Sequence, residues 1–420
     1  MVNKTGTTTI FKTNHNIEWS MTMSKYSQTL TKKAQDIGYL DESEESLRKV
    51  MTLFRSCWDA LTMFLCEHGY QGKIDDHKAK IQFIATKMKE HKVERPRKMN
   101  EWFTTMEKIS EENAYRICFA FQLNLEQVKT FFQIVYLDRC FDCHQLKDAI
   151  YYYAFLHQYS YEQAKAIEKQ CPMQEIQDLP EDIIYTKTII ERIEHIHSDE
   201  EFISFIKEHQ SYFGYNNATA TTSIQKIWKE ISQKDGLYEQ EKRLLGITST
   251  TKDDSVWSII LQILGLDNIR GSQINAKRSL KPILVNNDLI TSLAQDSFPS
   301  RNTLLSVLEG KHVSYRSVRK LLILFKFYQY WIKNAIKKHH EGEYAIYSFM
   351  ATPLEQERCR YQMNHYLLDA GYHELYIGNP YDWIFLWAMK SENPLECLHS
   401  YFQLLQAVKS EEETSTKPNT

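Results

Sequence analysis

The sequence predicts an all-α, multi-helical protein, and three observations carry that expectation. Glycine and proline are scarce, 13 and 9 in 420 residues, too few for a chain built on many tight turns. Apolar residues recur at three-and-four spacing in run after run, which is the pattern of helices with one buried face. No alternating strand pattern and no phosphate-binding glycine motif interrupts them. With 42% hydrophobic and 13% aromatic residues, a chain of this length can fill two or three cores.

Residues 1–40 are polar and weakly patterned and read as a tail. "DESEESLRKVMTLFRSCWDALTMFLCEHG" then opens an amphipathic helix, capped by Asp41 or Ser46, with Val50, Phe54, Cys57, Leu61 and Leu65 on one face. Helical patterns continue to about residue 170, which defines a first module over 41–170. "CPMQEIQDLPEDI", punctuated by Pro172 and Pro180, breaks them. Residues 171–270 read as a helical linker region, carrying "IYTKTIIERIEHIH", "EEFISFIKEHQSYF", "TSIQKIWKEISQ" and "SVWSIILQILGL". A second module takes 271–408, and the tail over 409–420, within "KSEEETSTKPNT", is expected to be disordered.

The eight cysteines are scattered, several within apolar runs such as "LTMFLCEHG" and "AYRICFAF", as expected of reduced thiols in a cytosolic core. The N-terminal "MVNKTGTTTIFKTNHNIEWS" has no basic region followed by an apolar stretch, and no window approaches 18 apolar residues. The expectation is a cytoplasmic protein with no membrane span. Net charge is −3, but residues 270–338 hold thirteen Lys and Arg against Asp288, Asp296 and Glu309. A basic segment in an otherwise acidic chain is the footprint of phosphate contact, or else a solvated helical face.

The most informative spacing lies at 287–328, "NDLITSLAQDSFPSRNTLLSVLEGKHVSYRSVRKLLILFKFY". It predicts a helix over 288–297, a turn at Phe298, Pro299 and Ser300, and a second helix to Leu308. Gly310 stops that helix, and Ser314 starts a third that buries Val318, Leu321, Leu322 and Phe325. This is the layout of a helix-turn-helix reader. With Leu293 and Ala294 in the first helix and the Gly310–Lys311 pair after the second, the segment resembles the Cro and λ-repressor class, also called the xenobiotic-response-element class. It departs from that class in the turn, where Phe-Pro-Ser replaces the usual Gly and aliphatic residue.

The resemblance implies that the second helix enters the major groove of double-stranded DNA. Ser300, Arg301, Asn302 and Ser306 would then face DNA, with Arg301 suited to guanine and Asn302 to adenine. Leu304, Leu305 and Leu308 would hold the helix on its partners. Lys311 and Arg316 would reach phosphates, and Arg319 belongs to the same expected DNA-binding set. One module seldom buries enough surface for specific affinity, so a homodimer is expected.

The chain also matches itself. "ISEENAYRICFAFQL", 109–123, aligns without a gap on "VSYRSVRKLLILFKF", 313–327, with Ser110 on Ser314 and, further back, Arg97 on Arg301. "KDAIYYYA", 147–154, matches "YDWIFLWA", 381–388, with Asp148 on Asp382, and "SYEQAKAI" has its counterpart in "PLECLHSYF". Two helix-turn-helix-containing halves joined by a helical middle segment are expected, with an insertion of about 30 residues in the second. In the first half Glu94 and Glu101 flank Arg95, Arg97 and Lys98, and Trp102 and Phe103 replace small exposed positions, so that helix is expected to pack against protein or assist as a phosphate contact rather than read bases.

Competing motifs point elsewhere. "RCFDCHQL", 139–146, spells C-x-x-C-H through Cys140, Cys143 and His144, which suits haem attachment or, with His157 as a fourth ligand, zinc. Arg139–His144, Arg192–His197 and Arg360–His365 each spell the R-x4-H of a family of helical ribonucleases. Aligned through "KDAIYYYA" and "YDWIFLWA", however, "RCFDCHQL" falls on "HELYIGNPY" and reads as a connection between helices. The expected function is a sequence-specific DNA-binding regulator of bacterial or mobile-element type, with no catalytic residue, cofactor or metal. The alternatives are a helical interaction scaffold and an RNA-cleaving effector.

Overall fold

Many helix starts follow side chains that accept an orphan N–H. In the computed structural model, which describes residues 57–103, 109–172, 175, 184–246, 256–266, 301–311, 313–342, 350–376 and 378–403, every regular element is helical. The first eight helices are α1 Cys57–Glu67, α2 His77–Glu90, α3 Glu111–Ala120, α4 Leu125–Phe131, α5 Leu146–Leu156, α6 Tyr161–Glu168, α7 Thr186–Glu194 and α8 Asp199–Glu208. They are followed by α9 Ala218–Ser232, α10 Leu237–Leu244, α11 Val256–Ile263, α12 Arg301–Leu308, α13 Tyr315–His340, α14 Pro353–Asp369 and α15 Pro380–Lys390. Asp76, Ser110, Ser198 and Ser314 each accept the N–H three residues on. Asn124 with Gln127, Ser160 with Gln163 and Thr352 with Glu355 form reciprocal capping boxes.

The buried apolar side chains sort into two cores, one from Ala60 to Phe213 and one from Ala220 to Phe402. The described helices of residues 171–270 contribute to both cores. α7 and α8 bury Ile189, Ile193, Phe202 and Ile206 in the first core, while α9 buries Ile224, Ile227 and Ile231 in the second. Each of these helices carries an apolar face that is costly to leave in water, so the division falls between Phe213 and Ala218. The long axis of the second core is α13, 26 residues and about 39 Å at 1.5 Å per residue. It buries the expected Val318, Leu321, Leu322 and Phe325, and also Arg319.

Arg319 is a correction to the DNA-binding set. Its side chain is 6% exposed and forks onto Asp382 of α15, donating from Nη1 to Oδ1 at 2.5 Å and from Nη2 to Oδ2 at 2.8 Å. Asp382 Oδ2 also accepts the N–H of Tyr376, six residues upstream, at 3.0 Å. In the first core Asp148 Oδ2 accepts the N–H of Asp142, again six residues upstream, at 2.6 Å. Tyr115, five residues after its N-cap as Arg319 is after Ser314, is buried too, and its hydroxyl accepts the N–H of Phe141 at 2.8 Å.

A buried guanidinium that loses its carboxylate has no water to turn to. Asp382→Asn is expected to lower unfolding stability by about 3–5 kcal/mol in urea titrations. Arg319→Met combined with Asp382→Asn should recover part of the loss. A double variant no more stable than Asp382→Asn alone would contradict the assignment of the loss to an unpaired Arg319.

Candidate nucleic-acid interface

α12 is held by its apolar side and its C-terminus. Leu304 and Val307, one turn apart, are fully buried in the second core, and Leu308 packs partly against it. Gln225 of α9 donates through Nε2 to the carbonyls of Leu308 at 3.1 Å and Val307 at 3.3 Å. Gly310 adopts φ +74°, and the N–H of Lys311 returns to the carbonyl of Ser306 at 2.8 Å. A left-handed residue here closes the last turn, which is why the Gly–Lys pair ends the helix. α13 then starts at its Ser314 cap.

Away from those anchors, only the first two residues of α12 are exposed, and Leu305 is half-buried. Arg301 and Asn302, at its N-terminal end, are exposed, and Ser306 is half-buried. Lys311 and Arg316 are exposed, Lys311 lying 2.6 Å from Glu309. Ser300 and the expected first helix over 288–297, with Leu293 and Ala294, lie outside the described residues. The expected contact residues Arg301 and Asn302 are thus exposed at the start of α12 and Lys311 and Arg316 are exposed after its end, whereas Arg319 is buried. Among the anchors, Val307 takes the buried place expected for Leu305, because a helix lying on a core buries positions three apart rather than adjacent ones.

The basic segment is less open than its composition implies. Lys326 is buried with its Nζ 4.0 Å above the Tyr366 ring and donating to Gln329 Oε1 at 3.0 Å, and burial pushes its pKa down to about 8. Lys333 pairs with Glu230 of α9, and Lys338 pairs with Glu355 of α14 at 3.0 Å. Composition cannot separate a solvated cation from one answered by an acid on another helix. In the first half Arg95, Arg97 and Lys98 are exposed, but Met99–Glu101 forms a single tight turn and Trp102 and Phe103 enter the core, as expected.

"RCFDCHQL" lies between the two cores. Arg139 is 1% exposed. Its Nη2 is 2.8 Å from Asp142 Oδ1, its Nη1 donates to Asn217 Oδ1 at 3.0 Å, and its guanidinium lies between the Tyr315 and Tyr372 rings at 5.3 and 4.8 Å. Asp142 Oδ2 accepts the N–H of Asn217 at 2.9 Å. His144 is buried with Nδ1 2.8 Å from the carbonyl oxygen of Tyr212, and desolvation lowers its pKa. Burial raises the Cys140 and Cys143 thiols well above their usual range, which disfavours the thiolate a metal would need. His157 packs on Tyr153 and Tyr159 instead. Among the described residues no group of three His, Cys, Asp or Glu is arranged to hold a metal. Of the R-x4-H pairs, Arg139–His144 is sealed from substrate, whereas Arg192, His197, Arg360 and His365 are exposed.

The same network yields a pH dependence. Burial, then the neighbouring Asp142, raises the Asp148 carboxyl to about 7. The native state therefore holds a proton that the unfolded chain releases near pH 4. Its contribution is present at low pH and lost as pH rises from about 4 through about 7. Asp148→Asn keeps an acceptor for the Asp142 N–H without titrating, so the variant should gain stability relative to the parent across that window. A difference that stays constant with pH, measured by urea denaturation, would remove Asp148 as the titrating group.

No known protein family, curated protein or solved structure matches this chain, so its functional reading rests on the geometry described above.

Proposed function

We propose that the chain binds double-stranded DNA sequence-specifically, with α12 as the helix that enters the major groove. The observation that carries this reading is the division of α12. Leu304 and Val307 lock one side into the second core while Arg301 and Asn302 stand exposed at its N-terminal end. Arg301 offers the fork that fits the O6 and N7 acceptors of guanine, and Asn302 the donor and acceptor that fit adenine. Lys311 and Arg316 supply phosphate contacts that position the helix without specifying sequence. Among the described residues no helix is long and apolar enough to cross a membrane, and the reading takes the protein as a cytoplasmic homodimeric regulator.

The reading includes a duplicated architecture. The paired caps Ser110 and Ser314, the paired acids Asp148 and Asp382 with their bonds to an N–H six residues upstream, and the buried Tyr115 and Arg319 support two copies of one helical module. In this view the second copy is the reader and the first is packing. A helical scaffold is the competing reading, and the ion pairs that occupy Lys333 and Lys338 favour it.

A gel-shift series against the DNA upstream of the protein's own coding region separates the two. Arg301→Ala and Asn302→Ala are each expected to weaken binding by about 1–3 kcal/mol and to relax preference at one base pair. Arg316→Ala should weaken binding to all sequences alike and reduce the salt slope by about one. Binding absent from the parent, or unchanged in the Arg301→Ala/Asn302→Ala double variant, leaves the scaffold reading standing.

A further inference from the structure

α14 carries two apolar faces where packing on the core requires one. Cys359, Met363 and Leu367 are buried toward the second core. On the opposite side Leu354, Tyr361 and Leu368 are 59%, 74% and 45% exposed. They recur every seven residues, so on a helix they form one stripe, about 21 Å long, that drifts only slightly around the axis. Large apolar side chains exposed in register on one helix mark an interaction surface rather than scattered surface residues.

The stripe is symmetric about Tyr361, and so is the pair of polar residues, one acidic and one basic, that flanks it. Leu354 and Leu368 lie seven residues to either side, and Glu357 and His365 lie four residues to either side. Glu357 pairs with Arg360 at 2.7 Å, His365 lies 3.3 Å from Asp369, and the His365 ring lies parallel to that of Tyr361, 4° between planes. Laid against itself antiparallel across a two-fold axis at Tyr361, α14 brings Leu354 onto Leu368 of the partner subunit and Glu357 beside His365 of the partner subunit. A parallel arrangement would oppose Glu357 to its own copy and Arg360 to its own copy, which is unfavourable. A two-fold interface demands this self-complementarity, and no other kind of partner does.

We propose that α14 is a homodimerisation surface, occupied by the same stripe of a second copy of this chain in antiparallel register. The proposal rests on the functional reading above only in taking the protein as a homodimer. A single pair of helices this short buries less than the ~800 Å² per partner of a standard interface, so the pairing is concentration-dependent. The central Tyr361, as the most exposed aromatic of the stripe, carries most of it.

Sedimentation equilibrium of the full chain without DNA tests this, and its outcome is independent of whether α12 binds DNA. The parent should pass from monomer to dimer with rising concentration, and Tyr361→Glu should raise the dissociation constant at least tenfold with an unchanged circular dichroism spectrum. The exposure of Tyr361 keeps the fold out of the comparison. Register is read by oxidation. Tyr361→Cys should give a disulfide-linked dimer, whereas Leu354→Cys should cross-link only when mixed with Leu368→Cys. A dimer as tight in Tyr361→Glu as in the parent, or self-linking of Leu354→Cys, overturns the proposal. So does a parent that stays monomeric. In that case a Tyr361→Cys thiol shielded from alkylation would assign the stripe to another segment of this chain, and a reactive one to a different protein.

Discussion

The arrangement of both cores depends on the burial of Arg139 between them. A guanidinium withdrawn from water is costly unless its charge and donors are answered. Here Asp142 supplies the charge, Asn217 the acceptor, and Tyr315 and Tyr372 the aromatic walls. The four partners come from the loop before α5, the start of α9, the start of α13 and the segment after α14. Asp142 and Asn217 lie at the crossing, Tyr372 belongs to the second core and Tyr315 opens the helix that runs through it, so one side chain touches both halves. Lysine, a compact point charge without a planar fork, could not meet all of them at once.

This accounts for the motif that resembles haem or zinc chemistry. Asp142 must face both Arg139 and the Asn217 N–H, and Asn217, at φ +54°, turns the chain from the first core into α9. Asn tolerates that left-handed conformation and its amide also donates to the Val313 carbonyl at 3.0 Å. His144 serves the Tyr212 carbonyl, and Cys143 fills a fully buried position. Within C-x-x-C-H, His144 and Cys143 thus each meet a packing demand of the connection between the cores.

Much of this was legible in local sequence. Ser110 and Ser314 announce their helices because a hydroxyl beside three orphan N–H groups acts locally, and Gly310 announces an exit because only the backbone of one residue is at issue. The expected core of α13 was equally legible from spacing. The fate of Arg319 was not, since Asp382 lies 63 residues away and a basic run reads the same whether its cations meet water or acids. The division between the two cores was not legible for a related reason. Pro172 and Pro180 mark a break in the chain, but the boundary between cores is set by where apolar faces dock, and it falls some forty residues later at Asn217.

Under the proposed duplication the two halves differ at one place beside a shared anchor. Under the alignment that sets Ser110 on Ser314, Phe103 falls on Val307, and both are buried. Trp102 falls on Ser306, and here the copies part. The indole is 5% exposed, and Phe103 beside it is covered by Lys80, whose Nζ lies 4.2 Å from the ring and donates to Thr62 at 3.0 Å. A large ring at that position draws the segment into its own core and leaves a single tight turn over Met99–Glu101. In the second half the half-buried Ser306 stands within the regular helix α12. The difference between a packing copy and a reading copy would then come down to the size of one side chain beside a shared anchor.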